Sequence, residues 1–348
     1  MDVLASKKST TIQDVARNAG VSTATVSRAL SSPERVSEAT RMRVFAAVTS
    51  TGFTINQAAR SLRLRAARTI VIAFPNIGNP FYSTVLDAVV HEASSRGYGA
   101  LVANRLSENP TRWLRDYFLS NRADGMVLFD GSLDTNELYG LKTQQGKLPL
   151  VVACDELPDA RLHSVMTDNR AAARTATRYL IELGHRRIGH IHSPSKNPAQ
   201  ASDRLLGFCD AMREASLEVR GEWIIDGDFS MASGERAGEA FLRLESRPTA
   251  IFSGNDEMAI GFLAILRGRG IECPRDLSVI GFDDITVARC MIPALTTMRQ
   301  PREDIGRLAT KALLDILESD VQPALPLHLL LPTELVVRES AIPYPSAA

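Results

Sequence analysis

The chain has 348 residues, 45% of them apolar and 23% charged, with a formal net charge of zero. That length allows two or three domains with ample core, and the balance is that of an ordinary soluble globular protein. Cys154, Cys209, Cys273 and Cys290 are widely spaced with no CxxC pair, which argues against a disulfide framework or a zinc site and suits a reducing cytoplasm.

The N-terminal MDVLASKKSTTIQDV lacks the apolar run of a signal peptide, and no stretch approaches the roughly 20 apolar residues of a membrane span. The expected location is the cytoplasm, with no membrane partner. The zero net charge hides an asymmetry. Residues 1–68 carry two Lys and nine Arg against two Asp and two Glu, a surplus of seven that the rest of the chain cancels. A basic head on an acidic body points to nucleic acid at one end and a separate task at the other.

Thr11-Ile12-Gln13-Asp14 has the form of a capping box. Ile12, Val15, Ala16 and Ala19 then make the apolar stripe of a short helix, and Gly20 permits a sharp turn. Ser22 is placed to cap a second helix with Val26 and Leu30 inward, preceded by Val21 and stopped by Pro33. Ser37 opens a third helix with Val44, Phe45 and Val48 inward, closed by Gly52. Three short helices with a tight turn between the first two predict a helix-turn-helix over residues 10–55.

From Thr69 onward, strand-like runs alternate with amphipathic helical ones. The strands are TIVIAFP (69–75), ALVAN (100–104), GMVLFD (125–130), LPLVVACD (148–155), RIGHIHS (187–193), TAIFSGN (249–255) and LSVIGFDD (277–284). Continuous apolar strands separated by helices predict parallel sheets covered on both faces. So many units exceed one open sheet, which predicts an α/β core of two doubly wound subdomains. Polar residues stand at the strand ends: Asp130, Asp155, Asn255-Asp256 and Asp283-Asp284. Ligands of such sheets bind beyond the carboxyl ends of the strands.

Reactive signatures are missing. No GxxxxGK[ST] loop, no GxGxxG after a strand, no HExxH and no GxSxG elbow occurs. His185, His190 and His192 cluster in sequence, and alternation puts His190 and His192 on one strand face, but no Cys or acid stands beside them. The sequence calls for no metal, no cofactor and no catalysis.

IQDVARNAGVSTATVSRAL followed by VSEATRMRV resembles the headpiece of the LacI/GalR family of bacterial transcription repressors, with wording nearest its cytidine-repressor branch. FTINQAARSLR resembles the family's hinge, and GDFSMASGERA, FSGNDEMAIGFL, SVIGFDD and PALTTMRQP resemble successive signatures of its effector-binding core, which is similar to periplasmic sugar-binding proteins. The resemblance is collinear over about residues 10–340. It implies a headpiece at 10–55, a hinge at 56–68 and a core at 69–340, with an N-subdomain of about 69–168 and 297–325 and a C-subdomain of about 169–296 and 326–340.

The resemblance implies that Thr23, Ala24 and Arg28 meet base edges in the major groove and that Ser22, Thr25 and Ser27 hold phosphates, with Thr11, Arg35 and Ser37 as further DNA contacts. Hydroxyls and helix N-termini hold phosphates as well as Lys and Arg do, and an arginine pairs bidentately with guanine. In the hinge, Asn56, Ala59 and Leu62 are implied to enter the minor groove, Leu62 as a wedge that opens a base step. For the effector the resemblance implies Arg204 as a hydrogen-bond donor, Asp283 as a grip on hydroxyls and Phe229 as a stacking face. Phe81, Tyr82, Asp168, Asn255, Asp256 and Gln300 are implied at further lining positions. A carboxylate, an arginine and an aromatic face suit a small neutral polyol, and a sugar is preferred to a nucleoside.

After ELVVRES the chain ends in AIPYPSAA, too short and proline-broken for a tetramerising coiled coil, which predicts a homodimer on a palindromic operator. Induction, with ligand releasing DNA, is expected over corepression. A periplasmic-type solute-binding protein is the competing class, disfavoured by the basic head, and an enzyme of doubly wound fold lacks a catalytic grouping.

Overall fold

The computed structural model describes residues 10–54, 66–104, 114–115, 118–129, 140, 142–143, 146–147, 149–154, 162–194, 198–319 and 325–345. The hinge residues Asn56, Ala59 and Leu62, and the strand-end residues Asp130 and Asp155, lie outside the described residues. The chain divides into two compact units, Met1–Ala66 and Ala67–Ala348.

In the first unit, α1 (Ile12–Ala19), α2 (Thr23–Ser31) and α3 (Glu38–Thr51) enclose Val15, Ala16, Ala19, Val26, Ala29, Val44 and Ala47. The Asp14 carboxylate accepts from the Thr11 backbone N–H at 3.0 Å and from its hydroxyl at 2.7 Å, which fixes the entry to α1. Gly20 closes α1 at φ 63, a left-handed conformation that suits glycine, and so lets α2 start only three residues later. Ser22 and Ser37 cap α2 and α3 by accepting from the Thr25 and Thr40 N–H groups. Phe45 departs from expectation: it is exposed, while Val44 and Ala47 turn inward with Val48 packed beside them. One residue on a helix is a rotation of about 100°, so neighbours Val44 and Phe45 cannot both face a core this narrow.

The second unit holds two sheets. The first is built from β1 (Thr69–Phe74), β2 (Gly99–Asn104), β3 (Gly125–Leu128), β6 (Leu150–Ala153), β7 (His163–Thr167) and β13 (His328–Leu331), in the order β13-β7-β6-β3-β1-β2 and parallel throughout. Between β3 and β6 lies a small antiparallel ribbon, β4 (Lys142–Thr143) with β5 (Gly146–Lys147). The second sheet holds β8 (Ile188–His192), β9 (Ile224–Asp226), β10 (Ala250–Ser253), β11 (Ser278–Asp283), β12 (Thr296–Arg299) and β14 (Glu334–Val336), in the order β14-β12-β11-β10-β8-β9, with only β14 antiparallel. Both orders reverse direction once, between β1 and β3 and between β8 and β10. Such switch points leave a crevice at the carboxyl ends of the strands.

Helices cover these sheets: α4 (Phe81–Ser95) and α9 (Arg302–Glu318) on the first, and α5 (Asn169–Glu182), α6 (Pro198–Glu214), α7 (Met231–Leu242) and α8 (Asp256–Arg267) on the second. The strands between them are apolar because both faces are covered; Ile70–Ile72, Val151 and Ile251 have no exposed surface.

The expected subdomain limits need correction at the C-terminal end. Residues 297–325 do not all belong to the N-subdomain, because β12 pairs with β11 in the second sheet and the chain crosses only at Gln300-Pro301. Residues 326–340 do not all belong to the C-subdomain either, since β13 pairs with β7 in the first sheet before β14 returns to the second. The cause is local composition. Strand β12 is a TTMR segment whose buried threonines are satisfied by hydrogen bonds, so it shows no apolar run, and β13 is an edge strand.

Candidate DNA-binding face and effector cleft

On the headpiece, α2 buries Val26 and Ala29 and turns Thr23, Ala24 and Arg28 to solvent, with Ser27 half-exposed beside them. Ser22 sits at the N-cap, where free backbone N–H groups and the helix dipole concentrate positive potential. Its hydroxyl lies 2.9 Å from the Thr25 hydroxyl, so these two side chains already hold each other in register. Thr11 is tied to Asp14, Arg35 lies exposed within 4.0 Å of Glu34, and Ser37 is the cap of α3. Thr11, Ser22 and Ser37 thus stand at the N-termini of α1, α2 and α3, and Arg28 lies exposed within α2.

In the core unit, the carboxyl ends of the second sheet's strands bring together Asp283, Arg204, Phe229 and Asn255. Asp283 ends β11 at φ 117, outside the usual range of a side-chain-bearing residue, and Asp284 follows at φ 54. Asp284 is clamped: its carboxylate accepts from Arg299 at 2.7 Å and from Arg338 at 2.5 Å, and its carbonyl accepts from Arg302. Burial pushes the Asp284 carboxyl up, but the arginine bonds outweigh it and hold it below the ordinary range.

Asp283 is also buried, and its Oδ1 accepts from Gln300 Nε2 at 2.7 Å. Gln300 Oε1 in turn accepts from the Thr167 hydroxyl at 2.9 Å. Thr167 ends β7 of the first sheet, so one side-chain relay joins the two subdomains at a crossover. Burial raises the Asp283 carboxyl to about 6 against the opposing pull of Arg204, Gln300 and Arg302. Its Oδ2 makes no hydrogen bond among the described residues.

Arg204 is buried with its guanidinium 3.8 Å from the centre of the Phe282 ring and 5.5 Å from that of Phe229. Its Nε donates to Asn169 Oδ1 at 2.9 Å and its Nη1 to the Gly254 carbonyl. Phe229 sits at φ 64, held by its own carbonyl, which accepts from Asn255 Nδ2 at 3.0 Å. Asn255 also caps α8 through the Met258 N–H.

Asp256 has a different place from that implied. It has no exposed surface; Oδ1 accepts from Thr297 at 2.6 Å and Oδ2 from the Ile285 N–H at 2.9 Å. Burial, then the Asp283 charge, raise its carboxyl well above the ordinary range. It braces the turn after Asp283 from behind. Asp168 caps α5 by accepting from the Ala171 N–H. Phe81 is buried at the start of α4, where the Asn79 side chain accepts from its N–H, and the Tyr82 ring lies against Phe74 at 4.9 Å and Phe129 at 6.2 Å.

Several participants escaped the sequence: Thr167, Asn169, Phe282 and Thr297 are all defined by what they touch across the fold. Phe282 alone had a visible signal, since strand alternation sets it on the face opposite Asp283. The acid missing beside His192 in sequence is also present in space, as Asp226 of β9.

The family described as "Bacterial regulatory proteins, lacI family" matches residues 11–56, and "Periplasmic binding protein-like domain" matches residues 177–341. The chain is similar to the HTH-type transcriptional repressor CytR of Escherichia coli (strain K12), at 38% identity over 306 residues, 88% of this chain and 89% of that one. It is similar to the HTH-type transcriptional repressor PurR of Photobacterium profundum, at 35% identity over 309 residues, 88% of this chain and 91% of that one. Among solved structures, it resembles the lac repressor dimer bound to operator and the anti-inducer ONPF, with a TM-score of 0.84 at 26% identity over 96% of this chain and 100% of that one. It also resembles the transcriptional regulator CelR–cellobiose complex, with a TM-score of 0.71 at 30% identity over 95% of this chain and 99% of that one.

Proposed function

The chain belongs to the LacI family of bacterial regulatory proteins and is a DNA-binding repressor with an effector-binding core; from that premise we propose that it acts in the cytoplasm as a homodimer on a palindromic operator and is released by a small polyhydroxylated effector. Two headpieces reach adjacent major grooves, with Thr23, Ala24 and Arg28 at base edges and Ser22, Thr25, Ser27, Thr11, Arg35 and Ser37 at the backbone. Asn56, Ala59 and Leu62 act in the minor groove between them.

The observation that carries the effector reading is the Oδ2 of Asp283, which has no hydrogen-bond partner among the described residues, beside Arg204 and Phe229 and at one end of the Thr167–Gln300–Asp283 relay. Adjacent hydroxyls donate to that carboxylate, Arg204 donates to the ligand, and Phe229 stacks on its apolar face. A ligand there alters the bond that joins the subdomains, and differential affinity for the two arrangements shifts the DNA-binding equilibrium. A free sugar fits this set, as cellobiose fits CelR. The similarity to CytR favours a second reading, a nucleoside held by its ribose. A thermal-shift screen of sugars and nucleosides, followed by operator binding with each hit, tests the reading. Stabilisation together with weaker operator binding supports it; a hit that tightens operator binding overturns induction.

A further inference from the structure

Helix α9 (Arg302–Glu318) meets the turn that carries Asp283 at one end and the end of the hinge segment at the other. At its first residue, Arg302 Nη2 donates to the Asp284 carbonyl at 2.8 Å. The helix covers the first sheet, whereas Asp284 follows β11 of the second, so this bond reaches from one subdomain to the other. The 17 residues of α9 then run about 25 Å at 1.5 Å per residue.

At the far end, Glu318 accepts from Arg68 Nη1 at 3.3 Å and from Arg96 Nη2 at 2.6 Å, and Asp315 accepts from Arg96 Nη1 at 2.7 Å. The Arg68 guanidinium also lies 4.8 Å from the centre of the Tyr98 ring. Exposed ion pairs of this kind contribute little by themselves. The firmer hold comes from Asp124, the residue before β3. Its Oδ1 accepts from the Ala67 N–H at 2.8 Å and its Oδ2 from the Arg68 N–H at 2.6 Å, two charge-assisted bonds to backbone. The Gly99 N–H donates to the Arg68 carbonyl at 2.8 Å. Arg68 is kept at φ 50, a conformation that costs a side-chain-bearing residue. Ala67 and Arg68 are the last residues of the hinge segment 56–68, so one carboxylate sets the backbone on which the hinge ends.

Helix α9 is seated directly beside that carboxylate. A Cβ added to Gly125 would fall 2.9 Å from Leu313 Cδ1 and 3.4 Å from Leu317 Cδ1 of α9. Contact this close leaves no slack between the helix and the residue next to Asp124. A Cβ on Gly306 would fall 2.5 Å from the Val85 carbonyl, so α9 also rests on the α4 backbone and moves as a body with it.

We propose that α9 carries the effector signal from the Asp283-Asp284 turn to the hinge, with Arg302 at its input and Asp124 as the positioning residue at its output. The proposal rests on the cleft reading above and on residues 56–68 acting as the hinge. A change in how the subdomains meet pulls on α9 through Arg302. Leu313 and Leu317 pass the shift to Gly125, and Asp124 passes it to the Ala67-Arg68 backbone. A route of this kind is measured by the coupling between its two ends.

Hydrogen exchange of the full chain, read by mass spectrometry on peptides spanning residues 66–70, tests the route without any ligand. The Ala67 and Arg68 amides donate to Asp124, so their exchange reports on that hold. In Arg302→Met, which keeps the stem and loses the donor, they exchange roughly threefold or more faster, while β10 keeps its wild-type rates. Unchanged rates at residues 66–70 overturn the proposal. Equal acceleration in β10 gives Arg302 a general structural role and overturns it too. A second arm combines calorimetry of cellobiose, ribose, cytidine and adenosine with anisotropy on a palindromic operator. In Asp124→Asn, the tightest binder of the four keeps its affinity within about threefold, but its effect on operator affinity falls from roughly tenfold to below about threefold. Adding Arg302→Met to Asp124→Asn removes no further coupling. Full coupling in Asp124→Asn, or losses that add in the double variant, overturn the route and leave the cleft reading standing. A binder whose affinity ignores Asp283→Asn removes the cleft reading instead. Where none of the four binds, the exchange arm decides alone.

Discussion

Asp283 combines burial, a backbone at φ 117 and a carboxylate with one oxygen unpaired among the described residues, a set of costs that a purely structural residue has no reason to carry. Its carboxyl is raised to about 6, so the folded chain binds the proton more tightly than the unfolded one. Ionisation of this group therefore opposes folding as pH rises from the ordinary carboxylate range through 6. Asp283→Asn, which keeps a residue tolerant of positive φ, raises the melting temperature at pH 7.5 by a few degrees, and the gain shrinks toward pH 5; thermal scans at both values check it. The same substitution abolishes the effector response. In the wild type, effector affinity falls below pH 6, because hydroxyls donate to the ionised form; pH-dependent calorimetry shows whether it does. Arg28→Ala lowers the ratio of operator to random-DNA affinity by roughly tenfold or more, the loss of one bidentate base contact. An unchanged ratio in competition binding removes Arg28 from base reading.

At the scale of elements, the most legible segments are those whose chemistry is local. Capping by Thr11-Asp14 and Ser22, the turn at Gly20, and the apolar runs of β1, β3, β6, β8, β10 and β11 are visible because neighbours in sequence determine them. Strands β7 (HSVMT), β9 (IID) and β12 (TTMR) are not, because their pairing partners and the Thr167 and Thr297 hydrogen bonds come from distant segments. Asp283, Arg204 and Phe229 are legible through the family resemblance, whereas their supports Asn169, Phe282 and Thr297 follow only from packing. Helix pairing also depends on glycines that periodicity undervalues. A Cβ on Gly234 of α7 falls 2.1 Å from the Met258 carbonyl of α8, and one on Gly261 of α8 falls 2.1 Å from the Met231 carbonyl of α7. The two helices thus approach backbone to backbone at both contacts. Gly234→Ala destabilises by about 2–3 kcal/mol through overpacking, while Gly221→Ala, which meets nothing within 4 Å, changes little. Denaturant melts of the two variants separate these outcomes.

At the scale of the molecule, the chain crosses between sheets after β7, after β12 and after β13, and the Thr167–Gln300–Asp283 relay lies where two of these crossings meet. A conformational signal between subdomains has to pass such connections. Thr167→Val is nearly isosteric and removes the hydroxyl that Gln300 Oε1 accepts from. Effector binding stays within a few-fold of wild type, but the effect of effector on operator affinity drops; equal coupling in the variant removes Thr167 as a positioning residue. The central claim is that ligand at Asp283 and DNA at the headpiece oppose each other. Fluorescence anisotropy of the full chain on a palindromic operator, with and without the effector found by thermal shift, measures this directly. Coupling of the usual size weakens wild-type operator binding by roughly tenfold or more and leaves Asp283→Asn unmoved. Wild-type affinity that is unchanged or tightened by the effector would contradict it.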